Sequence, residues 1–175
     1  MLTSGIYMHI FRYLSLIAWL AAVLSCAPEK DPAIIRAADF SQENYKGKVI
    51  LLNFWATWCG PCVYEIPDLV KVRSSFSAEK VAIFGIAMDR NQTAQSHPKI
   101  KQFVQQYGIN YPIVLDNRRE VALRYYSAEA IPVTFLIDQQ GEIYRAFRGL
   151  PVDAAGQINA LEAYAEAIQE LLDRS

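Results

Sequence analysis

The sequence has few residues that could bind a metal ion. Its 175 residues include three cysteines, Cys26, Cys59 and Cys62, and two histidines, His9 and His97. A structural zinc site needs four ligands, which usually come as two cysteine or histidine pairs. Cys59 and Cys62 form one pair and no second pair follows, so we predict no metal site. His97 falls in a polar connecting stretch, where we expect a solvated side chain without a catalytic role.

The sequence also has no excess of charge of one sign. Lys and Arg number 17, Asp and Glu number 18, and the formal net charge is −1 at pH 7. Proteins that bind nucleic acid or an anionic membrane surface through their net charge carry a basic excess, which is missing here. The sequence contains no internal repeat and no low-complexity segment. Its length suits one domain with a sizeable core, preceded by a processed leader.

An apolar run from Tyr13 to Leu24 follows a weakly positive start that contains Arg12. The run is shorter than the roughly 20 apolar residues that a membrane-spanning helix needs. Its length and position are typical of a secretory signal peptide, which we place at residues 1–25. The polar, proline-bounded residues 26–32 are then predicted to be a tether, and residues 33–175 to be the domain.

The leader ends in Val23-Leu24-Ser25-Cys26, which resembles the lipobox of bacterial lipoproteins. This resemblance implies that Cys26 is lipidated and becomes the N-terminus after cleavage. Two alternatives remain open: an uncleaved signal anchor, and a plain secretory signal that leaves Cys26 as a free thiol. All three export the domain, and the first two attach it to a membrane.

The other two cysteines follow an apolar run, Val49 to Ala56, in the motif Cys59-Gly60-Pro61-Cys62. The run has the length and the β-branched content of a strand buried on both faces, and Val63 to Phe76 has apolar residues at helical spacing. At a helix N-terminus, unpaired N–H groups and the helix dipole stabilise a thiolate and lower its pKa. We therefore interpret Cys59 and Cys62 as a redox pair. The alternatives are half a zinc site and an inert disulfide, whose short loop would stabilise the fold little.

The string Phe54-Trp55-Ala56-Thr57-Trp58-Cys59-Gly60-Pro61-Cys62 resembles the active site of the thioredoxin superfamily. Asn53 before it and Glu65-Ile66-Pro67 after it are similar to the TlpA/ResA branch of extracytoplasmic thiol–disulfide oxidoreductases. That branch places a Glu three residues after the second cysteine, whereas ordinary thioredoxins have a buried Asp where this chain has Asn53. The resemblance implies an α/β thioredoxin-like fold, with a central mixed β-sheet flanked by helices and the TlpA-type helix–strand insert. It also implies that the cysteine pair is the redox centre and that no other cofactor is needed.

The same resemblance assigns roles to residues outside the pair. In the superfamily a cis-proline, here Pro132, faces the cysteines, and the backbone of the residue before it, here Ile131, pairs with the bound substrate. Trp58 and Gly60-Pro61 are expected to help shape the substrate groove. Glu65 is expected to raise the thiol pKa values by like-charge repulsion and to accept or deliver a proton during exchange.

The expected activity is the reduction of disulfides in exported proteins at the periplasmic or another extracytoplasmic face of a membrane. Cys59 attacks the substrate disulfide as a thiolate, and Cys62 then attacks Cys59 to release the reduced substrate. The resemblance implies a membrane thiol reductase as electron donor. Apocytochrome c is the usual client of this branch, and other exported cysteine proteins are equally compatible. Two alternatives remain: an oxidant that introduces disulfides, although Gly60-Pro61 resembles reducing members, and a lipid-anchored binding or chaperone module. A peroxidase is a weaker alternative, because the cysteine-centred motif of peroxiredoxins is absent.

The rest of the sequence predicts alternating strands and helices. The expected strands are Ala33–Ala37, Val81–Met88, Tyr111–Asp116, Ile131–Asp138 and Ile143–Arg148, and the expected helices are Ile100–Tyr107, Glu120–Tyr126 and Ala154–Leu172.

Overall fold

The apolar run before the cysteine pair forms the central strand of a mixed β-sheet. In a computed structural model, which describes residues 32–89, 98–125 and 130–174, this strand is β2 (Val49–Trp55), and all its residues are buried. Strand β3 (Val81–Ala87) lies parallel to β2 on one side, and β5 (Val133–Ile137) lies antiparallel on the other. Because β2 and β3 are covered on both faces, their sequences are almost wholly apolar.

Three further strands complete the sheet: β1 (Ile34–Arg36), β4 (Ile113–Leu115) and β6 (Ile143–Arg148). The strand order is β1-β4-β3-β2-β5-β6. The first four strands in this order are parallel to one another, and β5 and β6 are each antiparallel to the strand before them. The predicted edge strand is therefore confirmed, and it pairs with β4.

Helices cover both faces of the sheet, as predicted. They are α1 (Gly60–Ser75), α2 (Pro98–Gln106), α3 (Ala122–Tyr125) and α4 (Ala160–Asp173). Apolar residues of α1, α2 and α4 share one core with Val49, Leu51 and Trp55 of β2. The start of α3 and two short 3₁₀ turns near the N-terminal end of the domain pack on the opposite face. Together α2 and β4 form the predicted helix–strand insert between β3 and α3.

The last helix begins later than its sequence predicts. The expected start was Ala154, but α4 begins at Ala160. The residues between them form a turn, because the Asp153 carboxylate accepts the backbone N–H groups of Ala155 and Gln157 at 2.8 and 2.9 Å. A short antiparallel bridge from Val152 to Ile158 closes this turn. The other expected strands and helices are confirmed, with ends that differ by a few residues.

Several features predicted from the sequence lie outside the described residues. They are the signal peptide, nearly all of the tether, Cys26, and the histidine at position 97. Within the described ranges, no helix has both the length and the apolar character that a membrane crossing requires.

Candidate active site

The cysteine pair lies where β2 leads into α1. Cys59 is the N-cap residue of α1, and its Sγ accepts the backbone N–H of Cys62 at 3.3 Å. The two cysteines form a disulfide with a Cα–Cα distance of 5.3 Å. Pro61 stands in the first turn of α1, where its missing N–H leaves no helical hydrogen bond unmade. The predicted position of the pair at a helix N-terminus is confirmed.

The side chains around the pair divide into a buried set and an exposed set. Cys59 is 4% exposed and Cys62 is 1% exposed, so the disulfide touches solvent mainly on the Cys59 side. Trp58 is 71% exposed, and Gly60 and Pro61 are exposed as well. The residues predicted to shape the substrate groove therefore form the outer surface beside Cys59.

A buried carboxylate that the sequence did not single out fixes the turn before the pair. Asp89, just after β3, accepts the Thr57 backbone N–H at 3.0 Å and the Thr57 hydroxyl at 2.5 Å. The turn continues with a bond from the Cys59 N–H to the Ala56 carbonyl at 3.0 Å. Because β2 and β3 are parallel neighbours, their carboxyl ends meet at one edge of the sheet. That rule is the signal by which Asp89 could have been found.

The loop before β5 closes the site from the other side. The Ile131–Pro132 peptide bond is cis, as predicted. The Cys59 sulfur lies 3.7 Å from the Ile131 carbonyl oxygen. The Gly149 N–H, at the end of β6, donates to the Pro132 carbonyl at 2.9 Å and so ties this loop to the next strand. Cysteine pair and cis-proline are thus brought together.

Glu65 lies beneath the pair with no exposed surface, one helical turn beyond Cys62. Its Oε2 accepts the Asn53 amide at 2.9 Å, and its Oε1 accepts the Thr134 hydroxyl at 3.4 Å. The Tyr164 hydroxyl, from α4, donates to the same Oε1. Residues from β2, β5 and α4 therefore surround a carboxyl group that α1 supplies.

Burial controls the ionisation of this carboxyl. It raises the pKa of Glu65 to about 6, and the hydrogen bonds from Tyr164, Asn53 and Thr134 oppose the rise. Burial also raises the pKa of Tyr164 and that of Tyr111 far above the ordinary value, so both hydroxyls stay protonated at neutral pH. A carboxyl that titrates near neutrality beside a dithiol can exchange protons with it during catalysis.

Asn53, Thr134 and Tyr164 form a cage of hydrogen-bond donors around the Glu65 carboxyl. The sequence analysis did not identify two of them. Thr134 was assigned to a strand, and Tyr164 to the apolar face of the last helix. The signal for Thr134 lies in the strand pairing: in the antiparallel register of β2 and β5, Thr134 stands opposite Asn53. For Tyr164 the sequence carries no such signal, since 99 residues separate it from Glu65. Within the described ranges, no group of three or more His, Cys, Asp or Glu side chains could hold a metal ion.

Comparison with known proteins identifies the family of this chain. A protein-family model described as the AhpC/TSA family matches residues 25–146. The relative named thiol-disulfide oxidoreductase ResA from Geobacillus kaustophilus is 30% identical over 128 residues, which cover 73% of this chain and 70% of that protein. ResA from Bacillus subtilis is 36% identical over 106 residues, which cover 61% of this chain and 56% of that protein.

A solved structure shares the fold. The crystal structure of StoA from Bacillus subtilis is similar with a TM-score of 0.55 and 27% sequence identity, over 69% of this chain and 82% of StoA. The range matched by the family model includes Cys59, Cys62, Glu65 and Pro132, and it ends before α4 begins.

Proposed function

The chain belongs to the AhpC/TSA family and is a thiol–disulfide oxidoreductase, and we propose that it reduces disulfides in exported proteins. One observation carries the proposal. The Cys59–Cys62 pair begins α1 beside the cis-Pro132 loop, and the buried Glu65 carboxyl lies one turn below it. This arrangement combines a reactive cysteine, a resolving cysteine and a proton-exchanging group.

The reaction begins with both cysteines reduced. The Cys59 thiolate attacks one sulfur of the client disulfide, so a mixed disulfide forms and the other client sulfur leaves as a thiolate that takes up a proton. Cys62 loses its proton and attacks the Cys59 sulfur, which breaks the mixed disulfide and releases the second client sulfur as a thiolate that also takes up a proton. Two electrons pass from the enzyme to the client, and Glu65 accepts the proton that Cys62 loses.

The exposed side chains beside Cys59 support a groove for an extended client segment. Trp58 offers an aromatic face, and Gly60 and Pro61 are small exposed residues next to Cys59 in the chain. The backbone of Ile131, which precedes the cis-proline, is the partner for the client backbone. Clients are thus expected to be selected by an accessible disulfide in an extended segment.

Further parts of the proposal concern location and partners. The lipobox-like sequence before Cys26 supports export and a lipid anchor, which would keep the domain at the extracytoplasmic face of a membrane. A membrane thiol reductase would then restore the dithiol after each turnover. Apocytochrome c and other exported cysteine proteins are the client classes.

A trapping experiment tests the function. In a full-length Cys62→Ser variant, nothing resolves the mixed disulfide quickly, so Cys59 should remain bound to its clients. We expect adducts on a non-reducing gel that disappear on reduction and that mass spectrometry can identify. The client identities decide between haem-attachment apoproteins and a wider set of exported proteins.

The matched control is Cys59→Ser, which should trap few clients because Cys62 has almost no exposed surface. Adducts with this variant and none with Cys62→Ser would show that the nucleophile is assigned wrongly.

The direction of electron flow is tested by the reduction potential. A value near about −270 mV, as in thioredoxin, supports a reductant, and one near about −120 mV, as in DsbA, would make the protein an oxidant. A double Cys→Ala variant with full activity would favour the binding or chaperone alternative.

A further inference from the structure

Tyr164 is the residue of the cage that comes from farthest along the chain. It lies in α4, has no exposed surface, and its ring packs edge-on against Phe147 with the centroids 4.9 Å apart. Its hydroxyl donates to Glu65 Oε1 and lies 3.1 Å from the Thr134 hydroxyl oxygen. A phenylalanine would fill the same apolar space, so packing accounts for the ring but not for the hydroxyl.

The Tyr164 hydroxyl donates to a Glu65 carboxyl whose ionisation is opposed by burial. The groups that face Glu65 are the hydroxyls of Tyr164 and Thr134, the amide of Asn53, the phenol of Tyr111 and the carboxylate of Asp68 one turn along α1. The cysteine pair begins the same helix, and Cys62 lies one turn before Glu65. No cation is among these groups, so within the described part of the chain it is hydrogen-bond donors that offset the cost of burying the charge.

We propose that Tyr164 is a positioning residue for disulfide exchange: its hydroxyl holds the Glu65 carboxyl in the ionised form and in a fixed orientation beneath the cysteine pair. The proposal rests on the proposed function, because it concerns the group that takes the proton from Cys62. It assigns to α4, which lies beyond the range matched by the family model, a part in the chemistry.

Titration of the oxidised full-length protein tests the contact without any substrate. In the disulfide form the two active-site cysteines do not titrate, so the ¹³C NMR signal of the Glu65 carboxyl reports its own ionisation. The signal is assigned by its loss in Glu65→Gln. In Tyr164→Phe we expect the midpoint to move up by about one pH unit, because a hydrogen bond to a charged group is lost.

A control variant and a second substitution at Tyr164 complete the titration test. Tyr125→Phe is the matched control, since it removes a hydroxyl that donates to Gln42 and lies outside the cage. The Glu65 midpoint should not move in that variant. Substitution of 3-fluorotyrosine for Tyr164 keeps the ring and strengthens the donor, so the midpoint should move down. This opposite shift also covers the case in which Tyr164→Phe does not fold.

The pH profile of the exchange rate then tests the link to the reaction. We expect its inflection to shift upward in Tyr164→Phe and to be unchanged in Tyr125→Phe. An unchanged Glu65 midpoint in both Tyr164 proteins would overturn the proposal. So would a shifted midpoint with an unchanged rate profile, because Tyr164 would then not serve the reaction. If the wild-type protein showed no exchange, the proposed function would fail while the titration still reported on the contact.

Discussion

Glu65 is a carboxyl group without access to solvent, and its three hydrogen-bond donors do not fully replace the water it has lost. Burial is the largest influence on its pKa, which rises from 4.5 to about 6 although all three donors oppose the rise. A fully paired Asp or Glu on the surface would show no such shift. The residue therefore costs the fold stability at neutral pH, and its chemistry accounts for its presence there.

That cost makes stability depend on pH in a defined direction. Between pH 4.5 and 6 the folded protein still binds the Glu65 proton that the unfolded chain has released. The free energy of unfolding should therefore fall as pH rises through this window, by about 2 kcal/mol for this one group. In Glu65→Gln the side chain stays neutral at every pH. The free energy of unfolding of this variant relative to wild type should therefore be about 2 kcal/mol higher at pH 8 than at pH 4.

Denaturant unfolding of the oxidised protein at both pH values measures this difference. The matched control is Glu79→Gln, which alters an exposed glutamate after α1 and should leave the pH dependence unchanged. If wild type and Glu65→Gln kept a constant difference in stability from pH 4 to pH 8, the carboxyl would not be destabilised by burial.

Strand β3 contains a glycine at the point where two aromatic rings cross it. A Cβ on Gly85 would lie 2.8 Å from Trp55 Nε1, 2.8 Å from Ile113 Cδ1 and 3.2 Å from a ring carbon of Tyr111. Trp55 ends β2 just before the active-site turn, and Tyr111 faces the Glu65 carboxyl. The glycine thus lets both rings pack closely behind the site.

Gly85→Ala should therefore destabilise the fold, by about 1–3 kcal/mol, because the added methyl group has no space in a packed core. Gly60→Ala is the matched control: a Cβ there has no neighbour within 4 Å, and the position is helical. We expect the control to be neutral or slightly stabilising. Denaturant unfolding compares the two, and equal effects would mean that space at Gly85 is not limiting.

How far each element could be predicted depends on how local its determinants are. The strand β2, the turn, and the start of α1 follow from the consecutive residues 49–62, and the resemblance supplied Pro132 and Glu65. The start of α4 was predicted wrongly because the apolar spacing continues upstream while the Asp153 carboxylate holds a turn. Asp89 could be inferred only from the rule that the carboxyl ends of parallel strands meet at one edge of the sheet, and Tyr164 meets the site only through the fold, so no local pattern reveals either residue.

The whole molecule brings distant parts of the chain to one end of β2. The cysteines come from the start of α1, the cis-proline from the loop before β5, and the hydroxyl of Tyr164 from α4. The described part of the domain begins at residue 32, so it includes all of these groups. What precedes residue 32 is expected to decide where the chemistry takes place.

If Cys26 carries the proposed lipid anchor, the tether predicted at residues 26–32 limits how far the active site can move from the membrane. Residues 26–32 span at most about 25 Å when fully extended. A domain held at that distance stays within reach of a membrane thiol reductase, which the proposed cycle requires. A free domain would have to find that partner by diffusion.

Cys26→Ser tests the anchor directly. Wild-type protein should fractionate with membranes, and the mass of its N-terminal peptide should include the acyl chains on Cys26. In Cys26→Ser, lipidation and the processing coupled to it should be blocked. If no hydrophobic segment remains, the domain should move to the soluble exported fraction; retention in membranes would indicate an uncleaved leader. Cys62→Ser is the matched control and should stay with the membranes, since it changes only the redox pair. Wild-type protein that is soluble without detergent, with an unmodified Cys26, would contradict the lipid anchor.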